Sequence, residues 1–326
     1  MKQINWGIIG VGDVAEVKSG PAFQKAEGSN LLAVMRRNGA KAKDFAERHR
    51  VPNWYEDADE LIANPEINAI YVATPPSSHE EYAIEALRAG KDVYLEKPMA
   101  PSLEACDSII VAAKKSGQKL SIAHYRRALP AFVKVKELLD AGAIGKVRFA
   151  QIQIFQPAKN KIIAQTETNW RVQPEISGGG LFHDIAPHQM DLMYYYFGKP
   201  EKISGNATNQ AGMYPADDIV SAEMLFPEDI IFKGLWCFTA PESASREGCE
   251  IIGAEGSISF SFYGEEVHLI KEDKKTFTFK NPENIQLPMI VKVNQYFRGE
   301  AENPCTAEEG KLVINMLNTI TSKKGD

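Results

Sequence analysis

The sequence predicts an α/β protein with two domains: a doubly wound parallel sheet at the N-terminus, followed by an α+β domain with an open, mainly antiparallel sheet. Up to residue 123, strand-like apolar runs alternate with amphipathic helical segments, which is the pattern of a parallel sheet covered by helices. After residue 200, short strand-like runs follow one another without helices, which indicates an antiparallel sheet. With 326 residues, the chain is long enough for domains at 1–123 and 124–326.

The first domain is predicted from apolar runs, helical periodicity and helix-ending glycines. Its elements in chain order are strands at 4–9, 31–35, near Trp54, 69–73, 93–95 and 120–123, and helices at 40–49, 58–62, 79–89 and 103–116. The strands are short and rich in apolar residues, as expected for a sheet buried on both faces. Gly90 and Gly117 follow two of the helices and supply their C-terminal stops.

The second domain is predicted from strand-like runs and three helical segments. Its strands are expected at 147–155, 203–207, 219–226, 230–238, 250–253, 257–262, 267–270 and 276–279, and its helices at 131–141, 181–197 and 306–321. The first two helices would cover one face of the sheet, leaving the other for a partner subunit. Ile231, Leu235 and Trp236 are expected to be exposed there, so we predict a homodimer or homotetramer.

Composition limits the classes of partner and site. The formal net charge of −6 gives no basic footprint for nucleic acid or an acidic membrane. The N-terminus does not have the pattern of a signal peptide, and no segment is long and apolar enough for a membrane span, so a soluble, cytoplasmic protein is expected. The four cysteines lack C-x-x-C spacing, which indicates neither a disulfide framework nor a zinc site.

A glycine-rich turn follows the first predicted strand. It has the pattern Gly10-Val11-Gly12-Asp13-Val14-Ala15. Glycines at the first two fixed positions permit a sharp turn and a close approach of backbone to pyrophosphate, and a small residue at the third lets a helix pack closely on the strand. Because the turn lies between a strand and a helix, dinucleotide binding is favoured over a simple turn.

The end of the second strand indicates which dinucleotide is bound. NAD-binding proteins usually carry an acidic residue there for the adenosine ribose, whereas this chain has Arg36-Arg37-Asn38. Guanidinium groups suit a 2′-phosphate, although a solvated arginine pair is the simpler interpretation. The sequence therefore predicts NADP, with NAD as the alternative.

A charged pair follows the strand at 93–95. Glu96 and Lys97 lie where an open α/β sheet forms its ligand crevice, and Pro98 favours an extended backbone at Lys97. The pair could simply solvate the end of the strand, but a lysine held at the crevice rim could also act on a substrate.

A second cluster of polar residues lies in the segment GGGLFHDIAPHQMD, residues 178–191. Asp184, His188 and Asp191 are spaced to share one helical face. His183 points elsewhere, because it lies five positions before His188 instead of the four that put two residues on one helical face. This pair therefore does not have the spacing of a zinc site, and no metal is expected. His188 could be a structural histidine satisfied by Asp184 or Asp191, or an acid/base group.

These motifs together resemble the glucose-fructose oxidoreductase and inositol dehydrogenase family, also called Gfo/Idh/MocA. The resemblance rests on GIIGVG, ATPPSSH, LEKPMA, HYRRALPAFVKVKELLDAGAIGKV and GGGLFHDIAPHQMD. It implies a Rossmann domain, a second domain with a large open sheet, and a C-terminal helix near the first domain. It also implies oxidation or reduction of a carbinol or carbonyl, usually on a sugar or cyclitol, with a nicotinamide cofactor.

The resemblance implies a set of site residues. Lys97, Asp184 and His188 would form the catalytic trio, and Glu96 would contact the cofactor or steady Lys97. The pairs Tyr125-Arg126 and Trp170-Arg171 match shorter motifs, and an arginine beside tryptophan is more often a packing residue. The residues predicted to contact the cofactor are Gly10, Val11, Gly12, Asp13, Val14, Arg36, Arg37, Thr74, Pro75, Pro76, His79, Glu96, Lys97, Arg126, Trp170 and Arg171.

Two functions fit this sequence. The first is an NADP-dependent oxidoreductase acting on a sugar, polyol, cyclitol or related cyclic alcohol. The second is a dinucleotide-sensing regulatory protein of the same fold that binds the cofactor without turnover. Because both Lys97 and His188 are present, the sequence favours the enzyme.

Overall fold

The computed structural model describes residues 3–12, 14–158 and 170–322, with side chains omitted at Val17 and Trp170. Contacts divide the chain into two units. The first contains Met1–Arg126 and Pro282–Ile314, and the second contains Arg127–Asn281 and Asn315–Asp326. Contacts therefore group Pro282–Ile314 with the parallel sheet, whereas the sequence analysis assigned all residues after 123 to the second domain.

The first unit is built on a six-stranded parallel sheet. Its strands are β1 (Ile4–Ile9), β2 (Ser29–Met35), β3 (Asn53–Tyr55), β4 (Ala69–Val72), β5 (Asp92–Leu95) and β6 (Leu120–Ile122). The strand order is β3-β2-β1-β4-β5-β6, and each neighbouring pair is parallel. This order confirms the predicted doubly wound sheet, whose order reverses beside β1 at the carboxyl end that carries the glycine-rich turn.

The first five helices of this unit alternate with its strands along the chain, and a sixth follows much later. They are α1 (Gly20–Lys25), α2 (Gly39–His49), α3 (Ala58–Ala63), α4 (His79–Arg88), α5 (Leu103–Ser116) and α9 (Leu287–Arg298), and the first turn before α1 is π-helical over Ala15–Ser19. Helix α9 is not among the helices predicted from the sequence. Its apolar residues Met289, Ile290, Val293 and Phe297 have helical spacing and are buried, and Gly299 ends the helix.

An aromatic cluster forms part of the core of the first unit. Trp6 of β1 is fully buried, with ring centroids 4.7 Å from Phe23 and 5.5 Å from Phe297 of α9. Tyr71 and Tyr94, on β4 and β5, stack with their centroids 5.3 Å apart. The late helix α9 therefore packs against the first strand of the chain.

The second unit is built on an eight-stranded sheet. Its strands are β7 (Val147–Phe155), β8 (Lys202–Thr208), β9 (Ile219–Phe226), β10 (Ile230–Cys237), β11 (Arg246–Gly253), β12 (Ser257–Phe260), β13 (Glu266–Ile270) and β14 (Lys274–Thr278). The order is β14-β13-β12-β11-β7-β10-β9-β8, and only β7 and β10 pair in parallel. The prediction of a mainly antiparallel sheet is confirmed.

Two helices of the second unit, α6 (Pro130–Asp140) and α8 (Leu181–Phe197), pack on one face of its sheet. The short helix α7 (Pro174–Ser177) lies between them in the chain, and the division between the units falls within α10 (Ala307–Thr321). The ring of Phe182 in α8 lies edge-on to Trp236, and that of Phe132 in α6 lies edge-on to Phe260. The helix-covered face therefore carries aromatic side chains from both layers.

The expectation that Trp236 is exposed is wrong. Its side chain is fully buried, and Nε1 donates a hydrogen bond to Oε1 of Gln189 (2.9 Å). Successive strand residues point to opposite faces, so the exposed Leu235 places Trp236 on the helix side. Ile231 and Leu235 are exposed on the open face, by 46% and 39%, as expected.

Among the described residues, no helix is long and apolar enough to cross a membrane.

Candidate active site

The glycine-rich turn leaves the carboxyl end of β1 and folds over the neighbouring strand. Gly10 has φ +99°, and a Cβ there would lie 2.8 Å from the backbone nitrogen of Thr74. The backbone nitrogens of Gly10 and Val11 both donate to the carbonyl oxygen of Met35 at the end of β2. A Cβ at Gly12 would meet nothing within 4 Å, so backbone at this point is open to a ligand.

The arginine pair follows β2 at the same edge of the sheet. Nη1 of Arg36 donates to the carbonyl oxygen of Val11 (3.1 Å), which holds the half-buried guanidinium against the glycine-rich turn. Arg37 is exposed. Asn38 caps α2, since its side chain accepts a hydrogen bond from the Lys41 amide (3.1 Å). A helix start and an arginine therefore stand where the adenosine ribose of a dinucleotide would lie.

The loop after β4 is tied to the loop after β5 by His79. This side chain is fully buried, with Nε2 2.8 Å from the Thr74 carbonyl oxygen and Nδ1 3.0 Å from that of Pro98. Burial lowers the pKa of His79, although the surrounding carbonyl oxygens oppose this effect. Its ring nitrogens face the protein, so its surroundings support a tether between the two loops more than a contact with the cofactor.

Glu96 and Lys97 follow β5 and are joined through the backbone. Oε2 of Glu96 accepts a hydrogen bond from the Lys97 amide (3.0 Å), and Oε1 accepts from Tyr71 and Gln286. Lys97 is half-buried, and its peptide bond to Pro98 is cis. Both oxygens of Glu96 are engaged by the protein, which supports the role of steadying Lys97 over that of contacting the cofactor.

Three glycines introduce α8 in the second unit. Gly178, Gly179 and Gly180 all have positive φ, at 85°, 151° and 91°. A Cβ on Gly179 would lie 2.2 Å from Nδ1 of His183, and one on Gly180 would lie 2.2 Å from the Cβ of Ala216. Larger residues would therefore strain the backbone and collide with neighbours at the start of the helix.

The polar residues of α8 have different partners. Oδ2 of Asp184 accepts a hydrogen bond from Nε of Arg171 (3.0 Å), and the Asp184 side chain remains 19% exposed. Asp191 is fully buried and pairs with Arg127, whose Nη2 lies 2.6 Å from Oδ1. The structure thus brings the predicted Asp184 together with the predicted Arg171, while Asp191 serves a buried ion pair.

The two histidines of α8 are both largely buried. His188 lies one helical turn after Asp184 and is 8% exposed. His183 packs against Gly179, and burial lowers its pKa to about 4, so it is neutral near pH 7. Of the two, His183 is the one that packs at the helix start.

The other predicted residues occupy varied surroundings. Arg126 is buried, with Cζ 5.7 Å from the ring centroid of the buried Tyr125. Val14 and Pro75 are half-buried, and Pro76 is buried. Asp13 lies outside the described residues, as does the side chain of Trp170.

Sequence reasoning missed two polar residues beside this site. Tyr71 lies within β4 and was interpreted as an ordinary core residue, and Gln286 precedes the helix that was not predicted. Both donate to Glu96, from positions 25 and 190 residues away in the chain. No sequence pattern marks these donors, because the burial of Glu96 that requires them is visible only in the folded structure.

No group of three or more histidine, cysteine, aspartate or glutamate residues in the described ranges is arranged to hold a metal ion.

Comparison with known proteins identifies the class to which this fold and these residues belong. Residues 4–124 match the model of an oxidoreductase family with an NAD-binding Rossmann fold, and residues 132–259 match the GFO/IDH/MocA C-terminal domain. The chain belongs to the GFO/IDH/MocA family of oxidoreductases. This confirms the resemblance stated from the sequence.

Similar proteins span almost the whole chain. Oxidoreductase P35 of Formosa agariphila is 50% identical over 319 residues, covering 98% of each chain. An NADP⁺ scyllo-inositol 2-dehydrogenase of Bacillus subtilis is 25% identical, covering 96% of this chain and 92% of its own. The crystal structure of an oxidoreductase from Thermotoga maritima superposes with a TM-score of 0.87, at 24% identity, covering 98% and 96% of the chains. This last likeness shows the fold, and the protein is an NAD(P)-binding oxidoreductase by family.

Proposed function

We propose that this oxidoreductase uses NADP to interconvert a carbinol and a carbonyl on a sugar, polyol, cyclitol or related cyclic alcohol. The observation that carries the cofactor preference is Arg36, whose guanidinium lies against the glycine-rich turn where NAD-specific proteins carry an acid. The substrate class is supported by the resemblance of the chain to a cyclitol dehydrogenase.

The residues of the first unit fit a dinucleotide. The open side of Gly12 leaves room for pyrophosphate, and the arginines after β2 suit the charge of a 2′-phosphate. When bound, the nicotinamide would supply or accept a hydride, which is the chemistry that side chains cannot provide.

We assign the remaining chemistry to Lys97, Asp184 and His188. In the reducing direction, His188 gives a proton to the substrate oxygen and the Lys97 ammonium stabilises the negative charge that develops there. Lysine beside the same oxygen could instead transfer the proton. Asp184, held by Arg171, binds substrate hydroxyls or orients the imidazole.

A direct test is to follow the absorbance of reduced nicotinamide while the protein is offered NADP(H) or NAD(H) with a panel of sugars, inositols, their keto forms and dihydrodiols. We expect turnover with at least one compound, and faster turnover with NADP(H). Tight NADPH binding without turnover on any compound would instead favour the regulatory protein.

We further propose that the protein assembles as a homodimer or homotetramer through the open face of the second-unit sheet. Neighbouring residues of β7 and β10 expose apolar side chains there, among them Phe149 and Ile231 in register with one another. Charged side chains lie beside them, among which Nζ of Lys233 is 3.2 Å from Oε2 of Glu223. Apolar contacts flanked by charges suit a self-complementary two-fold interface.

A further inference from the structure

A buried hydrogen-bond network lies behind Lys97. We infer that Gln286, together with Tyr71, is a positioning residue for Lys97 and acts through the carboxylate of Glu96. The inference rests on the proposed role of Lys97. The inference concerns the residues that orient Lys97, and not the chemical role of Lys97 itself.

The network is buried from end to end. Glu96 is 6% exposed, and both Tyr71 and Gln286 are fully buried. A carboxylate in such surroundings is costly unless hydrogen bonds satisfy its oxygens. Nε2 of Gln286 donates to Oε1 at 2.7 Å, and the Tyr71 hydroxyl donates to the same oxygen at 2.5 Å. These donors therefore hold one side of the carboxylate.

The other side of the carboxylate holds Lys97. Oε2 of Glu96 accepts the hydrogen bond of the Lys97 amide (3.0 Å). Because a carboxylate is planar and rigid, donors that hold Oε1 also fix the direction of Oε2. The orientation of the Lys97 backbone, from which its side chain projects, thus depends on Gln286 and Tyr71.

Gln286 is itself anchored at both ends. It directly precedes α9, and its backbone amide donates to the carbonyl oxygen of Lys18 (3.3 Å), in the segment after the glycine-rich turn. Its side-chain Nε2 also approaches the Tyr71 hydroxyl (3.3 Å). Gln286 therefore links the start of α9, the segment after the glycine-rich turn, and the carboxylate that holds Lys97.

The test is Gln286→Met, which keeps the volume of the side chain and removes the donor. We expect kcat to fall roughly 10- to 100-fold, because a displacement of about 1 Å at a reacting group has an effect of this order. The Kd for NADPH should stay within about twofold, since the side chain lies on Glu96 and not on the nucleotide turn. Tyr71→Phe, which removes the second donor to Oε1, should act in the same direction.

A matched control is available in α9, the helix that Gln286 precedes. Asn294 of α9 is also buried, and its Oδ1 accepts a hydrogen bond from Nε1 of Trp6 on β1 (3.1 Å), not from a member of the Glu96 network. Asn294→Leu should destabilise the protein as Gln286→Met does, yet leave kcat near that of the parent. Thermal unfolding of both variants checks that their stability losses are comparable.

The decisive measurement combines Gln286→Met with Lys97→Ala. If Gln286 acts through the lysine, the double variant should turn over at the rate of Lys97→Ala alone, because no positioned ammonium is left to disturb. Any one of three results would overturn the inference. The first is that Gln286→Met lowers kcat by the same factor in the parent and in the Lys97→Ala background. The others are a kcat of Gln286→Met within about twofold of the parent, and a loss of kcat in Asn294→Leu equal to that in Gln286→Met. A Lys97→Ala variant with parental kcat would instead overturn the proposed role of Lys97 itself.

Discussion

At the scale of single residues, Lys97 and His188 carry the proposed chemistry. We expect Lys97→Ala and His188→Ala each to lower kcat by about 10² to 10⁴-fold, the usual loss when a general acid or its charge-stabilising partner is removed. NADPH binding, followed by fluorescence titration, should be largely retained. Lys115→Ala, at an exposed position in α5, is the control and should leave kcat unchanged. Turnover within about threefold of the parent in either active-site variant would mean that another residue does this work.

Arg36 and Arg37 determine the cofactor preference in our proposal. A charge-assisted hydrogen bond to a 2′-phosphate is worth roughly 1.5 to 3 kcal/mol, which corresponds to about tenfold to 150-fold tighter binding of NADP than of NAD. Replacing Arg36 by Asp and Arg37 by Ala should reverse this ratio in equilibrium titrations. Arg88→Ala, at the end of α4, should leave the ratio unchanged. Equal affinities of the parent protein for the two nucleotides would remove the basis of the proposal.

Glu16 gives the first unit an acid-sensitive contact. Hydrogen bonds from Arg48, helped by His49, lower the pKa of this carboxyl from 4.5 to about 2, against the opposing effect of burial. Arg48 binds both carboxylate oxygens and also pairs with Asp44. Because the folded-state pKa lies below the unfolded value, the contact contributes fully above pH 4.5 and is lost as the pH falls towards 2.

We therefore expect Glu16→Gln to destabilise the protein at pH 7 and to have little effect near pH 2. The side chain is 36% exposed, so solvent screening limits the loss to about 1 kcal/mol. Urea unfolding at several pH values measures the difference between variant and parent. A constant difference across this range would show that Glu16 contributes through packing rather than through its charge.

At the scale of elements, the start of α8 depends on glycine. Gly179→Ala would require both a strained backbone and displacement of the His183 ring, so we expect a loss of several kcal/mol in the free energy of unfolding. Gly142→Ala is a matched control, because Gly142 also has positive φ but a Cβ there meets nothing within 4 Å. It should cost only about 1 kcal/mol, from the backbone alone. Similar losses in the two variants would show that His183 moves aside at little cost.

Sequence patterns predicted most of the secondary-structure elements but not the contacts between distant segments. The strands and most helices follow from apolar runs, periodicity and glycine stops, and the start and end of α5 were predicted to the residue. The helix α9 was missed although its apolar stripe was present. Contacts such as Gln286 to Glu96 could not be predicted, because they join distant segments and leave no periodic trace. Trp236 was misplaced because alternation gives two faces without saying which one is buried.

At the scale of the whole molecule, the open sheet face sets the expected assembly. Light scattering at micromolar concentration should give a mass that is a multiple of the 36.1 kDa chain. Introducing glutamate at Ile231 and Leu235 should shift the mass towards the monomer, because desolvated like charges would oppose each other across a two-fold axis. Glutamate at the exposed Val111 of α5 should leave the mass unchanged. A parent protein that is monomeric under these conditions would contradict the proposed interface.

The first unit is made of two separate stretches of the chain, so its parts leave the ribosome at different times. Strand β1 emerges first, but Phe297 and Asn294, which cover Trp6, emerge only after the entire second sheet has been made. Until then, an apolar surface of the nascent parallel sheet stays uncovered, and Glu96 lacks the hydrogen bond from Gln286. A nucleotide-binding fragment cut from this protein would therefore have to join residues 282–314 to residues 3–126, since the N-terminal piece alone lacks part of its own core.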